Sequence, residues 1–454
     1  MQPQLLLALD DKPNFGLAVT AALQHVLASF VGIITPTLVI GSVLGLGAEV
    51  PYLISMALMV SGLATFIQVK RFGPLGAGVI AVQGTSFAFL GALITAGTLV
   101  RSKGGSNADV MAMLIGICFL GAFIEILVSQ WVHRLSAILT PVVTGVVIIT
   151  IGISLIKVGM TDLAGGYGAD DFGNLPNLAI GFFVLFLIIV LNTSRNPWVR
   201  LSAILVGMLV GTLAGYGLGL FSLPSIPESP LFALPQPFKY GFSFDWQVFL
   251  PVALIYFLTA IETSGDLTAV SHFCGLSIQG KTYLNRIKRG ILADGVNSAV
   301  AAVFNTFPNT TFGQNNAVIQ ITGVASRHVG FYIAGILFLL GLFPAIGAIL
   351  QLIPKPVLGG ATLVMFGTVA VAGATILTRE PMDRRKTLVV ATSLGLGLGT
   401  MMVPDLLAQT PQWLRMVLSS PVAVAGMTAI TLSIVLPKNT QPVDEQTEAT
   451  NVID

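Results

Sequence analysis

Residues 307–316 read Phe307-Pro308-Asn309-Thr310-Thr311-Phe312-Gly313-Gln314-Asn315-Asn316 and place a polar run inside an otherwise apolar part of the chain. An earlier stretch, residues 73–87, has the same character: Gly73-Pro74-Leu75-Gly76-Ala77-Gly78-Val79-Ile80-Ala81-Val82-Gln83-Gly84-Thr85-Ser86-Phe87. It passes from glycines through a β-branched segment to polar residues before the chain becomes apolar again. Neither stretch has the pattern of a simple helix, so both predict non-helical breaks within longer apolar segments.

The composition is that of a protein embedded in lipid. Of the 454 residues, 54% are hydrophobic and only 9% are charged, whereas a soluble domain carries about 25% charged residues. The net charge of +2 is too small to suggest a nucleic-acid partner. Two distant cysteines, Cys118 and Cys274, form no metal-binding or disulfide pattern. We therefore expect an integral membrane protein that has no metal site and no cofactor.

Apolar runs long enough to cross a bilayer recur along the whole chain. The predicted runs lie near 16–42, 51–69, 80–100, 110–130, 135–157, 177–193, 200–221, 246–265, 290–304, 313–326, 329–352, 358–377, 386–403 and 416–436. If the N-terminus is cytoplasmic and the loops alternate sides, most of the 22 Lys and Arg residues fall in cytoplasmic loops. This positive-inside bias predicts that both termini are cytoplasmic.

The two non-helical stretches fall in the third and the tenth of these runs. An odd offset of seven gives the two halves of the chain opposite orientations, as in transporters built from inverted repeats. Backbone that is broken at membrane depth must line a cavity or be buried in protein. The pattern therefore predicts a transporter whose binding site is formed by the two breaks.

Three carboxylates within or beside apolar runs are candidates for chemistry. Glu262 follows the run 248–261, Asp294 lies in the run 291–304, and Asp266 lies one helical turn after Glu262 on the same face. A carboxylate inside a bilayer is costly and is retained for a proton, an ion or a substrate. Burial favours its neutral form, so it can take up and release a proton. The alternatives are a structural brace for Glu262 and Asp294, and a helix end for Asp266.

Glu125 and His25 are two further ionisable residues in apolar runs. Glu125 lies about one turn from Ser129 and Gln130, near the predicted cytoplasmic end of its helix. Snorkelling to the interface is therefore our preferred interpretation of Glu125. His25 lies in the middle of its run, where it could belong to a proton path or pack as a hydrogen-bonding residue. We favour a hydrogen bond from His25 to a polar partner near the site.

Gln314, Asn315 and Asn316 form a cluster of amides at the second break. Each amide offers a donor and an acceptor on one rigid plane, which matches the edge of a nucleobase. Phe87 and Phe89 could supply a stacking face at the first break, although ordinary packing is the simpler alternative. The two breaks together suit a flat heterocycle that forms hydrogen bonds.

The stretch from Asn305 onward, NTFPNTTFGQNNAVIQITGVASRHVG, resembles the signature of the nucleobase–ascorbate transporter family. The family core, Gln-Asn-x-Gly followed by a Thr, appears here as residues 314–317 and Thr322. The continuation through 323–327 is similar to the purine branch, especially bacterial xanthine permeases. Further matching blocks are GLAVTAALQHVLASF, GVIAVQGTSFAFLG, AIETSGDLTA, RGILADGVNS and PKPVLGGATLVMFG. One position departs from the pattern, because Ala317 replaces the usual Gly and adds a methyl group where helices pack closely.

The resemblance implies an all-α polytopic membrane fold of 14 transmembrane segments in two inverted repeats of seven. It also implies core and gate domains, short antiparallel strands in segments 3 and 10, a homodimer, and a bacterial inner-membrane location. The implied ranges are 1–15 for the cytoplasmic N-terminal tail, 16–130 (segments 1–4) and 244–352 (segments 8–11) for the core domain, 131–243 (segments 5–7) and 353–437 (segments 12–14) for the gate domain, and 438–454 for the cytoplasmic C-terminal tail.

The resemblance also implies roles for individual residues. Glu262 is expected to hydrogen-bond the purine ring, and Gln314 to bind the opposite edge with support from Asn315. Ser86 is expected to tune the choice between xanthine and uric acid, and Phe87 to contact the substrate. Support of the site, or its coupling to protons, is expected of Asp294, His25, Asp266 and Thr263.

The sequence therefore predicts a proton-coupled importer of an oxopurine, with xanthine as the first candidate and uric acid as the second. It is not expected to be an enzyme, because the sequence shows no metal triad and no nucleophile–base pair. One alternative is a uracil permease of the same fold, which the long signature disfavours. Another is an anion transporter of the sulfate/bicarbonate type, which the pairing of Glu262 with Gln314 disfavours.

Overall fold

The structure, a computed structural model, describes residues 5–132, 140–166, 169–221, 232, 234–378 and 381–437. The predicted C-terminal tail, 438–454, lies outside the described residues. Within the described ranges, the side chains of eight residues also lie outside the description: Leu201, Gln314, Ala317, Gln320, Ile321, Gln412, Trp413 and Met416.

The described chain is mostly helical. Its α-helices are α1 (Phe15–Val43), α2 (Val50–Lys70), α3 (Leu90–Ser102), α4 (Asn107–Gln130), α5 (Pro141–Leu163), α6 (Leu175–Asn192), α7 (Pro197–Leu201), α8 (Ala203–Gly217), α9 (Trp246–Phe273), α10 (Gly280–Val303), α11 (Gln314–Thr322), α12 (Arg327–Gly341), α13 (Pro344–Gln351), α14 (Lys355–Leu377), α15 (Arg384–Met402), α16 (Gln412–Leu418) and α17 (Pro421–Val435). The other elements are strands β1 (Gln83–Thr85) and β2 (Asn309–Thr311) and the 3-10 helices Phe87–Phe89 and Pro404–Leu407.

Within the described ranges, 7 helices are long and apolar enough to cross a membrane: α1, α2, α4, α5, α6, α9 and α14. Three further helices, α3 with its preceding 3-10 turn, α8 and α17, are apolar but shorter. Large apolar side chains such as Phe186 and Leu213 are 64% and 72% exposed, which suits contact with lipid rather than water. The protein is a multi-pass membrane protein, and the count of fourteen spans stays a prediction.

The structure corrects three of the predicted helix boundaries. Helix α10 spans 24 residues and begins at Gly280, because its polar first half hides the start of the helix from a hydropathy argument. Helix α9 continues to Phe273, so the interpretation of Asp266 as a helix end is wrong. The run predicted at 329–352 is two helices bent by 73°, and α13 begins at Pro344, whose missing N–H is tolerated at a first helical position.

The helices pack in two sets. In the first set, α2 lies along α12, and α4 lies along α10 and α9. In the second set, α5 and α6 lie along α14, and α15 lies along α17. Helix α9 also contacts α5, so it joins the two sets. The assignment of these sets as core and gate domains stays a prediction.

The two strands pair antiparallel, which confirms the short antiparallel strands that the family resemblance implies at the two breaks. Gln83 lies opposite Thr311, and Thr85 lies opposite Asn309. Gly84 is required between them, because a Cβ there would lie 2.5 Å from the Phe312 ring and 2.7 Å from Ile33. The pairing brings two stretches that are more than two hundred residues apart into contact in the protein interior.

The N-terminal segment before α1 is attached to the link between α11 and α12. The backbone N–H of Leu6 donates to the carbonyl of Gly323 at 2.8 Å, and the N–H of Ala325 donates to the carbonyl of Leu7 at 2.9 Å. An ion pair joins Arg327 to Asp10, with a nitrogen–oxygen distance of 2.6 Å. The sequence pattern does not predict this attachment, because the partners lie more than three hundred residues apart in the chain.

Candidate functional site

Two helix N-termini meet the strand pair. β1 leads through Ser86 into the 3-10 helix Phe87–Phe89 and α3, and β2 leads into α11. The Ser86 hydroxyl caps the first of these helices by accepting from the N–H of Ala88 at 3.3 Å, and the Ser86 N–H donates to the carbonyl of Pro308 at 2.8 Å. Helix N-termini carry partial positive charge, so both can attract the carbonyl oxygens of a ligand.

Asp294 is the centre of a saturated hydrogen-bond network. Its carboxylate accepts from Gln68 Nε2 at 2.5 Å, from Thr263 Oγ1 at 2.6 Å and from Thr311 Oγ1 at 3.1 Å. The residue is fully buried. These donors come from α2, α9 and β2, so the carboxylate fastens two helices and a strand to α10. This arrangement fits the bracing role that was one alternative for Asp294.

Glu262 lies one position before Thr263 on α9, but its carboxylate is not saturated. Its Oε2 atom is buried and has no hydrogen-bond partner among the described residues. It lies close enough to Asp294 for the two charges to repel each other. Gly265, one turn further along, packs against Thr144 of α5, where a Cβ would lie 3.2 Å from Thr144 Cγ2. Glu262 therefore offers an unused acceptor where the two helix sets meet.

The first turn of α11 contributes two described amide side chains. Asn315 Nδ2 donates to the carbonyl of His25 at 3.1 Å and lies 3.1 Å from His25 Nδ1. Asn316 Nδ2 lies 3.5 Å from Asp266 Oδ1. Gly313, just before the helix, allows this close approach, since a Cβ there would lie 2.6 Å from the same oxygen. The predicted side-chain contact of Gln314 lies outside the described residues.

The two phenylalanines after β1 have different environments. Phe87 lines a cavity of about 230 Å³ between the two helix sets, and its ring lies 5.6 Å from that of Phe366 on α14. Phe89 is 1% exposed and packs its ring 4.5 Å from Tyr256. The stacking role suggested for Phe89 is therefore wrong, because its faces are covered by the protein core.

The cavity lies to one side of Glu262. Its lining includes Thr95 of α3, Ser154 of α5 and Pro251 of α9. Pro251 precedes Glu262 by eleven residues, a rise of about 16 Å along a helix. Phe87 therefore connects this cavity to the strand pair, whereas Glu262 lies further toward the C-terminal end of α9 than the cavity lining.

Glu125 does not snorkel to the membrane interface, so that interpretation is wrong. Only 1% of its surface is exposed, and both carboxylate oxygens are buried without a hydrogen-bond partner among the described residues. The reason is tertiary, because α9 and α10 cover the face of α4 that carries it.

Sequence reasoning missed the residues that hold Asp294 and the strands in place. Gln68 Nε2 also donates to the carbonyl of Gly290 at 2.9 Å, and its Oε1 accepts from the N–H of Ala77 at 2.9 Å. Thr65 Oγ1 accepts from the N–H of Gln83 at 2.9 Å. A signal was present, because Gln68 is an uncharged polar residue near the end of the apolar run of α2.

Comparison with known proteins agrees with this architecture. Residues 16–406 match the model of a family described as "Permease family". Xanthine permease XanP of Escherichia coli strain K12 is 45% identical over 443 residues, which cover 96% of both chains. Xanthine permease XanQ of the same organism is 43% identical over 437 residues, which cover 95% of this chain and 94% of XanQ.

One solved structure shows how widely the fold is shared. The transmembrane domain of the cyanobacterial bicarbonate transporter BicA superposes with a TM-score of 0.56 and covers 93% of this chain and 99% of that domain. The two sequences are only 14% identical, so this likeness concerns the fold alone. Its relatives by sequence are membrane transporters and not enzymes. The chain belongs to the permease family, which is the family of the nucleobase–ascorbate transporters.

Proposed function

We propose that this protein imports xanthine together with protons. Two observations support the proposal: 45% identity to a xanthine permease over 96% of the chain, and the buried, unpartnered oxygen of Glu262, which lies one helical turn before Asp266, the residue that Asn316 of α11 contacts. Burying an acceptor without a donor is unfavourable, so the site is suited to a ligand that supplies N–H groups. An oxopurine carries such groups on its ring, and uric acid is the second candidate.

In the proposed complex, the purine lies between the two helix sets beside the strand pair. Glu262 accepts ring N–H groups, and Gln314 binds the opposite edge while Asn315, fastened to His25, supports the turn. The N-termini at Phe87 and α11 polarise the purine carbonyls. Phe87 contacts the substrate from the cavity side, and Ser86 tunes the choice between xanthine and uric acid.

Coupling to protons is proposed to use the carboxyl group of Glu262. Glu262 changes its protonation state as the substrate binds and leaves, while Asp294, Thr263 and Asp266 hold the surrounding elements. The first helix set, as the core domain, then moves against the second, as the gate domain, to expose the site on the other side. We place the transporter in a bacterial inner membrane as a homodimer with cytoplasmic termini.

Uptake of radiolabelled xanthine into cells or proteoliposomes tests this proposal. Accumulation should require a proton gradient and collapse when a protonophore is added. Competition by unlabelled purines and by uracil defines the substrate class, and a uracil permease would show uracil as the stronger competitor. Full accumulation by Glu262→Gln under a proton gradient would contradict the proposed role of Glu262.

The fold shared with a bicarbonate transporter makes anion transport the second candidate. The electrostatics disfavour it, because an anion at this site would meet the carboxylates of Glu262 and Asp294. Uptake driven by exchange with bicarbonate or sulfate, and insensitive to the pH gradient, would favour this candidate over purine import.

A further inference from the structure

Glu125 is a buried carboxyl group that the proposed transport mechanism does not use. It lies on α4 with 1% of its surface exposed, and both of its oxygens are unpartnered among the described residues. None of the ion pairs in the described part of the chain includes it. A buried carboxylate without a counter-charge or hydrogen-bond donor is strongly unfavourable, whereas a neutral carboxylic acid is tolerated.

Helix α9 packs an aromatic ring, Tyr256, against the face of α4 that carries Glu125. The Tyr256 hydroxyl donates to the carbonyl of Cys118 at 2.8 Å. The same ring lies directly over Gly121, where a Cβ would be 2.4 Å from a ring carbon. Gly121 and Glu125 are four residues apart and share one face of α4. Tyr256 therefore covers this face of α4 one turn before Glu125.

Helix α10 also packs closely on α4 beside Glu125. Gly295 packs against α4 so closely that a Cβ would lie 2.9 Å from the backbone nitrogen of Ile126 and 3.3 Å from the carbonyl oxygen of Ala122. Both of these residues flank Glu125 on α4, and Asp294 directly precedes Gly295. The backbones of the two helices are therefore in contact beside two buried carboxyl groups.

The charges around Glu125 are negative. Asp294 of α10 and Glu262 of α9 are both close enough to repel a charge on Glu125. The other titratable neighbours are the Tyr256 hydroxyl of α9 and, on α4 itself, the Cys118 thiol, neither of which supplies positive charge. Helix α3 also packs on α4, but its Arg101 binds Asn107, about 27 Å along α4 from Glu125.

We propose that Glu125 is a second proton-binding site of the transporter, separate from the carboxylate that contacts the purine. The neutral form of Glu125 removes repulsion from Glu262, which can then stay ionised and accept the purine N–H groups. Proton binding at Glu125 and purine binding at Glu262 therefore strengthen each other, and this coupling is reciprocal. This role deepens the proposed function and rests on it, whereas the protonated state of Glu125 can be measured without any substrate.

Infrared difference spectroscopy of the purified transporter tests the proton site itself. The wild-type protein should show the C=O stretch of a protonated carboxyl group at neutral pH in the absence of purine. Glu125→Gln should remove this band, Glu125→Asp should shift it, and Glu262→Gln should retain it. If the wild type shows no such band, or if Glu125→Gln leaves the band unchanged, the proposal is overturned. The wild-type and Glu125→Asp spectra keep the test valid if Glu125→Gln does not fold.

Transport in proteoliposomes tests the coupling. A gradient of one pH unit supports about tenfold accumulation for one proton per purine. Glu125→Gln should bind xanthine and exchange it across the membrane, while its accumulation under the gradient falls about tenfold relative to the wild type, as expected for the loss of one coupled proton, and its binding becomes less dependent on pH.

The matched control is Asp109→Asn, which removes one negative charge at an exposed position of the same helix. This control should accumulate xanthine as the wild type does. If Glu125→Gln accumulated as much xanthine as the wild type does, the proposed coupling role of Glu125 would be overturned. Failure of the wild type to transport any purine would instead overturn the proposed function and leave the infrared result for Glu125 intact.

Discussion

Asp294 and Glu262 lie on neighbouring helices and interact electrostatically, yet their surroundings differ. Three side chains donate to Asp294, whereas Glu262 keeps a buried oxygen without a partner in the described protein. A saturated carboxylate contributes to the stability of the fold, and an unsaturated one retains binding capacity for a ligand. Two adjacent residues of α9 therefore differ: Thr263 donates to the saturated carboxylate of Asp294, whereas Glu262 is the group that we propose recognises the purine.

The largest expected effect on stability comes from removing the brace. Asp294→Ala should lower the free energy of unfolding by about 3–5 kcal/mol, because three buried donors lose their acceptor. Denaturation in detergent micelles measures this loss. Asp294→Asn is the control, since it retains one acceptor oxygen and should lose less. If Asp294→Ala were as stable as the wild type, the hydrogen-bond network of Asp294 would not hold the helices together.

Glu262→Gln should have the opposite profile. The equilibrium affinity for xanthine should fall about 10–100-fold, as expected for the loss of a hydrogen bond to a charged group. The unfolding temperature should stay equal to that of the wild type or rise, because the variant no longer buries an unpartnered carboxylate. Binding of radiolabelled xanthine and thermal unfolding are measured on the same preparation. If Glu262→Gln lost stability and kept its affinity for xanthine, Glu262 would be a structural brace and not a group that binds the substrate.

Thr263→Val should have a smaller effect that is confined to the brace. The two side chains are similar in shape, and the substitution removes one hydrogen bond to Asp294, which should cost about 1–2 kcal/mol of unfolding free energy. Thr259→Val on the same helix is the matched control, because the buried Thr259 hydroxyl donates to the carbonyl of Tyr256, its sole hydrogen-bond partner among the described residues. If the two variants lost the same unfolding free energy, the hydrogen bond from Thr263 to Asp294 would contribute no more than a hydrogen bond within one helix.

The smallest expected effect comes from the ion pair between Asp10 and Arg327. The side chain of Asp10 is 77% exposed, so Asp10→Asn should change the unfolding free energy by less than about 1 kcal/mol. The backbone hydrogen bonds of the N-terminal segment remain in this variant and should keep it attached. Unfolding at low and high salt measures the contribution of the pair. If Asp10→Asn lowered the unfolding free energy as much as Thr263→Val does, a hydrogen bond of the buried Asp294 network would stabilise the protein no more than an exposed ion pair.

Much of the site could be predicted because polar residues within apolar runs are rare. Glu262, Asp294 and the amides at 314–316 stand out by chemistry alone, and the residue pattern marked the two non-helical breaks, whereas their pairing as strands was implied only by the family resemblance. Glu125 stood out equally, but its environment was assigned wrongly. Gln68 was overlooked, although it is the only described residue that joins α2 to both Asp294 and the carbonyl of Gly290.

The sequence by itself determined the membrane class, the positions of the two breaks and the identity of the carboxyl groups, because hydropathy and residue type are local properties. Only the tertiary structure decided that Asp294 is saturated, that Glu262 is not, that Phe89 is covered while Phe87 lines a cavity, and that Glu125 is buried where α9 and α10 pack on α4. Burial and hydrogen-bond partnership depend on which helix faces meet, and those contacts join residues far apart in the chain. An apolar helix can present a polar residue to either lipid or protein, so its own pattern cannot decide between them.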